Sequence, residues 1–200
     1  MLLGTAEPFG VLAGTTVTNT GSTTVTGDLG VSPGTAITGF PPGIVTGTTH
    51  AADGVADTAQ DDLQIAYDDA AGRSGAVSVA GDLGGQTLTS GVYNSTSSLA
   101  ITSANLTLDA EGDPTRSFIF QMGSTLTTGS NTQIILVNGA RAECIFWQVG
   151  SSATLGTDSI FKGTIMALTS ITMTTGATID GRALARGGAV SLDSNDIVVP

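Results

Sequence analysis

Three stretches near the end of the chain can be laid one over another without a gap. They are Ala153-Thr-Leu-Gly-Thr-Asp-Ser-Ile-Phe161, Ile171-Thr-Met-Thr-Thr-Gly-Ala-Thr-Ile179 and Val190-Ser-Leu-Asp-Ser-Asn-Asp-Ile-Val198. Their step of about 18 to 20 residues is that of one turn of a solenoid. Superposition puts Ala153, Ile171 and Val190 in one apolar column and Leu155, Met173 and Leu192 in a second. Hydroxyls fall in two others, Thr154/Thr172/Ser191 and Thr157/Thr175/Ser194. Alternation with period two places the apolar columns on one side of each strand and hydroxyls on the other. Stacked coils of this kind enclose a dry core and present a flat, threonine-covered face, the candidate working surface.

A chain of 200 residues is expected to form one domain over 1–200, with a substantial core. Its 28 glycines and 4% aromatics suit tight coils with many corners better than a globular α/β enzyme. A net charge of −11 argues against nucleic-acid binding and against anionic membranes. No apolar run is long enough to span a bilayer. The lone Cys144 excludes an intrachain disulfide, leaves the redox compartment unread and reads as a buried, inert thiol. Met1-Leu2-Leu3-Gly4 lacks the basic start and length of a signal peptide. If the protein is secreted, an initiating Met has replaced its native leader.

Residues 5–48 read as irregular coils, with short strands at Val11-Leu-Ala, Val17, Val25 and Val31 and a turn at Phe40-Pro-Pro-Gly43. From about Thr49 to Ala71 the period changes. Ala52, Val55, Ala56, Ala59, Leu63, Ala66, Tyr67 and Ala70 recur every three or four residues, opposite Asp53, Asp57, Asp61, Asp62, Asp68 and Asp69. The pattern predicts an amphipathic helix, capped by Thr48 or Thr49, stopped by Gly72, with Arg73 near its negative end. About 22 helical residues reach roughly 33 Å, about seven coils at a spacing near 4.8 Å. Beyond Gly84-Gly85 the solenoid pattern resumes. Ser117–Gln121, Cys144–Gln148, Thr164–Leu168 and Arg182–Ala185 read as equivalent strands of successive coils. Phe118, Phe120, Phe146 and Trp147 fall in them and read as core.

Thr26–Gly34, the Asp-rich helix, Ile145–Gly156, Ala167–Ile171 and Asp180-Gly-Arg-Ala-Leu-Ala-Arg186 resemble, in order and spacing, the microbial ice-binding proteins of the DUF3494 type. The resemblance covers essentially the whole chain. It implies a mainly β fold: a right-handed, three-faced β-solenoid with one long α-helix, about 49–71, along one face. It also implies that early coils pack beside C-terminal ones, so that chain order is not stacking order. The function implied is adsorption to ice through a flat face, with thermal hysteresis and inhibition of recrystallisation. The family's Thr-Ala/Gly-x-Thr/Asn rows map onto Thr20-Gly-Ser-Thr23, Thr128-Gly-Ser-Asn131 and Thr175-Gly-Ala-Thr178, and more loosely onto Thr102-Ser-Ala-Asn105. Thr157-Asp-Ser-Ile160 and Ser194-Asn-Asp-Ile197 depart from them, with Ile in the second place.

The candidate ice-contacting residues are Thr128, Asn131, Thr154, Thr157, Thr172, Thr175 and Thr178, extended by Thr20, Thr23, Thr102, Asn105, Thr125, Thr174, Ser191 and Ser194. A threonine brings a hydroxyl and a methyl on a stiff χ1, which a rigid array can use to order water as a solid does. The partner expected is the ice crystal surface, met by a secreted monomer that uses no cofactor, metal, nucleic acid or membrane. Two other readings stand beside it. Asp180, Arg182, Arg186 and Asp193 could converge as in β-helical polysaccharide lyases and hydrolases, against structural ion pairs at corners. A carbohydrate-binding or adhesive solenoid is the second, although such sites expose aromatic platforms. His50, the one histidine, reads as a helix-cap or surface residue, too isolated for zinc or a Ser-His-Asp arrangement.

Overall fold

The computed structural model describes Met1–Pro200 in full. Every strand pairing is parallel, and the strands form sheets of 12, 8 and 3 members around one apolar interior. The 12-stranded sheet bends: the long strands Ile160–Ala167 and Thr178–Ala185 belong to one face at their starts and to the next at their ends. Three faces result, as the resemblance implies: one under the helix, one threonine-rich, and a third that includes Thr87–Thr89, Leu106–Asp109 and Ile134–Val137.

The chain enters the stack in its middle. Phe9–Ala13 lies between Thr178–Ala185 on one side and Asp28–Val31 on the other. It winds outward to Thr49–Ala51, and the helix α1, Gly54–Gly72, then carries it back to the opposite end, where Val77–Ser78 begins the remaining coils. Counting both ends, nine strands make up the helix-covered face, a span of about 38 Å. The 19 helical residues reach about 28 Å of it. The helix is therefore the connection that lets N-terminal coils stack on C-terminal ones.

Helix α1 starts five residues later than its periodicity suggests, because Thr49–Ala51 is a strand paired with Leu29–Val31. Asp53, rather than Thr48 or Thr49, is the cap, accepting from the Val55 and Ala56 amides. Ala56, Ala59, Leu63, Ala66, Tyr67 and Ala70 are buried as expected, whereas Ala52 and Val55 precede the contact and are exposed. The stripe packs on Leu12, Ile119, Phe146, Met166 and Leu184. No helix is long and apolar enough to cross a membrane.

At the far end of α1 the solenoid supplies the missing donors. Gln121 Nε2 donates to the carbonyls of Ala70 (2.8 Å), Ala71 (3.3 Å) and Arg73 (2.9 Å). Gln148 Nε2 donates to the Tyr67 hydroxyl at 2.7 Å, which donates in turn to the Val149 carbonyl. Gln121→Leu removes this donor from all three carbonyls, leaving the buried Ala70 carbonyl only the Arg73 amide at 3.4 Å, and is expected to cost about 1 kcal/mol. Urea denaturation would measure it, with faster amide exchange confined to the last turn of α1.

The four strands read as equivalent do stack, with Phe118 on Ile145 and Phe120, Trp147, Ile165 and Ala183 in one column. Inside, Tyr93, Phe120 and Trp147 are stacked, the last two with centroids 3.9 Å apart, and Phe161 leans on Trp147. Phe146 points the other way, into the helix layer. The aromatics are core, and no aromatic platform faces solvent.

Candidate functional site

The threonine-rich face has eight strands, in the order Gly81–Asp82, Leu99–Ile101, Leu126–Thr128, Ala153–Leu155, Ile171–Met173, Val190–Asp193, Thr16–Thr20 and Ala36–Thr38. Leu99, Leu126, Ala153, Ile171, Val190 and Val17 are in register and buried. Alternation then sends the next residue of each strand outward. The column so formed is Asp82, Ala100, Thr127, Thr154, Thr172, Ser191, Thr18 and Thr38. Beside it run Ser98, Thr125, Ser152, Ser170, Ala189, Thr16 and Ala36, whose carbonyls and amides continue the ladder. Along the other edge lie Thr102, Gly129, Gly156, Thr174, Asp193 and Thr20. No Lys, Arg or Glu projects from any of the three columns.

Several hydroxyls are tied to each other across coils. Ser98 and Thr125 are 2.8 Å apart, Thr18 donates to Ser191 at 3.3 Å, and Thr174 donates to the Leu155 carbonyl at 2.7 Å. The corner beyond the edge column is equally fixed. Asn131, Asp158, Gly176, Ser194 and Gly21 stack there and all have positive φ, between 54° and 75°. Gly is at ease in that conformation, and Asn and Asp tolerate it better than other side chains. The result is a level surface with little freedom in its backbone.

The expected residues divide into four groups. Thr20, Thr102, Thr125, Thr154, Thr172, Thr174 and Ser191 lie on this face. Asn131, Thr157, Thr175 and Ser194 form its corner. Thr178 is on the third face, beside Ile160 and Asp196, and Asn105 has turned that corner too, its Oδ1 accepting from the Gln133 amide. Thr23 and Thr128 point inward, 0% and 5% exposed. Thr128 stands in the column of Leu155 and Met173, where its hydroxyl accepts from the Gly156 amide at 2.8 Å. Thr23 accepts from the Asn195 amide. Neither can touch anything outside, so both leave the candidate site.

The gapless superposition itself fails at one point. Asp158 and Gly176 pair with Ser194, not Asn195, since the Gly176 amide donates to the Asp193 carbonyl. The third row is one residue shorter at the corner, so Thr178 lies against Asp196 and Ile179 against the buried Ile197. Ser194 therefore belongs with Asp158, and Asp193 takes the place beside Thr175. The face also includes Thr16, Thr18, Thr38, Thr127, Ser98, Ser152 and Ser170, which lie outside the four-residue Thr-x-x-Thr/Asn rows.

The other two faces differ. One is covered by α1. The third carries the Lys162–Asp180 ion pair (3.2 Å), together with Asp109 and Asp196, and exposes Ile44, Ile160 and Val198 unevenly. Charge on the threonine face is confined to Asp82 at the outermost strand, Asp193 in the edge column and Asp158 at the corner. Burial works to raise the Asp82 pKa. Hydrogen bonds from the Thr102 hydroxyl and amide, the Gly84 amide and Ser103 outweigh it and hold the carboxyl well below the usual range. Asp82 thus pins the first coil.

The charged groups that could have formed a catalytic cluster do not meet. Asp180 pairs with Lys162, and Arg182 Nε donates to the Glu7 carbonyl at 2.8 Å. Burial depresses the Arg182 pKa. Arg186 lies 5.0 Å over the Tyr67 ring, and Asp193 accepts from Thr175. His50 sits in a strand ahead of α1, 2.7 Å from the Asp53 carboxylate. Cys144 is half-buried, and burial raises its thiol pKa.

Against known proteins, a family model described as ice-binding-like matches residues 11–198. An ice-binding protein of Nostoc sp. (strain HG1) is 55% identical over 198 residues, 98% of this chain and 73% of its own length. One of Flavobacterium frigoris (strain PS1) is 39% identical over 99% of this chain and 76% of its length. The crystal structure of an ice binding protein from an Antarctic biological consortium superposes with a TM-score of 0.97 at 55% identity, covering 98% of this chain and 90% of that one. An ice-binding protein from the Antarctic ascomycete Antarctomyces psychrotrophicus gives 0.94 at 43% identity, covering 100% and 98%. A match over nearly the whole length, in sequence and in backbone, places this chain in the ice-binding-like family.

Proposed function

We propose that this protein adsorbs to ice through the threonine face and thereby retards crystal growth and recrystallisation. The observation that carries the reading is the registered column Thr127, Thr154, Thr172, Ser191, Thr18 and Thr38, set on a ladder of parallel backbone hydrogen bonds. Neighbouring positions along the column are about 4.8 Å apart, and alternate residues on a strand about 6.7 Å. Methyl groups on such a grid are poorly hydrated and favour burial against a solid. The hydroxyls between them hold first-layer water in place. Each group contributes little, but the ordering entropy is lost at folding, so the contributions coincide at binding. The whole chain acts as one ice-binding domain and as a monomer, since a partner on that face would bury what ice must touch. It acts outside the cell and turns over no substrate.

Fluorescently labelled protein is expected to be taken into a slowly growing ice hemisphere and to give a measurable gap between melting and freezing points. Exclusion from the ice at all concentrations would refute the reading. Thr178→Tyr, on the third face, is expected to leave the gap unchanged, which separates this face from the corner next to it.

A further inference from the structure

Asp193 is the one charged residue in its column. It projects from the edge column of the threonine face, on the sixth of eight strands, between Thr174 and Thr20. Because its coil is one residue short at the corner, Thr174 and Thr175 both oppose it. Its carboxylate accepts the Thr175 hydroxyl at 2.5 Å and the Ser194 hydroxyl at 3.2 Å. No lysine, arginine or histidine pairs with it. The negative charge is therefore uncompensated, and two corner hydroxyls have turned their hydrogens toward it instead of outward.

A water molecule in ice donates two hydrogen bonds and accepts two. A carboxylate accepts at both oxygens and donates nothing, so the water around it must point hydrogens at it from every side. That shell cannot continue into an ice lattice without a defect, and stripping it from an unpaired charge costs free energy. Along the edge column Thr174 stands on one side of Asp193 and Thr20 on the other, while the middle column Thr172, Ser191 and Thr18 passes beside it unbroken.

We propose that Asp193 limits how tightly this face holds ice, by interrupting its edge column. The inference rests on the threonine face being the ice-contacting one. Removing the carboxylate restores the edge column and frees the Thr175 hydroxyl. The test compares thermal hysteresis of the parent, Asp193→Asn and Asp193→Thr at equal concentration, after circular dichroism has shown each variant folded. Asn keeps the shape and restores a donor, and Thr extends the grid. A rise of about twofold in at least one variant is expected, from relief of the desolvation cost, and a folding defect could not produce it. Unchanged or lower hysteresis in both, with Thr154→Tyr inactive, overturns the limiting role of Asp193 alone. Full activity in Thr154→Tyr overturns the face assignment and this inference with it.

Discussion

Thr154→Tyr is expected to remove at least about nine-tenths of the thermal hysteresis while leaving thermal stability unchanged to within about 0.5 kcal/mol. Thr154 is exposed at the fourth of eight strands, with Thr127 on one side and Thr172 on the other. A tyrosine ring there stands well above a plane of two- and three-carbon side chains. A rigid solid cannot bend round it, so contact is lost over neighbouring coils as well as at the substituted one. The fold has no reason to respond. Ala153 and Leu155, which face the core, are untouched, and an aromatic residue is well suited to a strand position. Hysteresis by nanolitre osmometry and melting by circular dichroism are the two measurements. Full activity in the variant would remove this face from consideration.

Much of this was written in the residues. Columns with Ala153 and Leu155 at their heads can be read from alternation alone, as can the buried stripe of α1, because burial repeats with a period the sequence displays. Less was legible at corners. The deletion that moves Ser194 into the place of Asp158 leaves no trace in a gapless superposition, since serine resembles the threonines it was aligned with. Pairing across coils, a long-range property, decides the register.

Thr127-Thr128 shows a second limit. Two adjacent threonines give no sign of which faces in, and the Thr-Gly-Ser-Asn pattern drew attention to the buried one. The signal that resolves it was present: Leu126 aligns with Ala153, so Thr127 aligns with Thr154. Thr16-Val17-Thr18 carries the same alternation around one inward valine. The joining of N-terminal to C-terminal coils was of another kind. No local pattern encodes it, and it came from resemblance to a family. Physically it depends on a helix long enough to cross most of the stack and on Phe9–Ala13 pairing with Thr178–Ala185, far away in sequence.

Trp147→Ala is expected to cost about 3–5 kcal/mol, the range for emptying a buried aromatic site. At roughly 2–4 °C per kcal/mol for a chain of this size, the melting temperature should fall by roughly 6–20 °C. Trp147 is fully buried, parallel to Phe120 at 3.9 Å, and in contact with Phe161. Its Nε1 donates to the Lys162 carbonyl at 3.0 Å, tying one corner of the coil to the middle of the core. Parallel ladders above and below hold the backbone of Ile145–Val149, so the coil cannot collapse into the space left behind. Those same ladders keep Ala153–Leu155 in register, and near the freezing point the variant is still folded. Hysteresis should accordingly survive in large part, the opposite of Thr154→Tyr, where stability survives and hysteresis does not. A scanning melt and an osmometer reading on the two variants separate the core from the working surface, and an unchanged melting temperature for Trp147→Ala would mean that the aromatic stack does not hold the coils together.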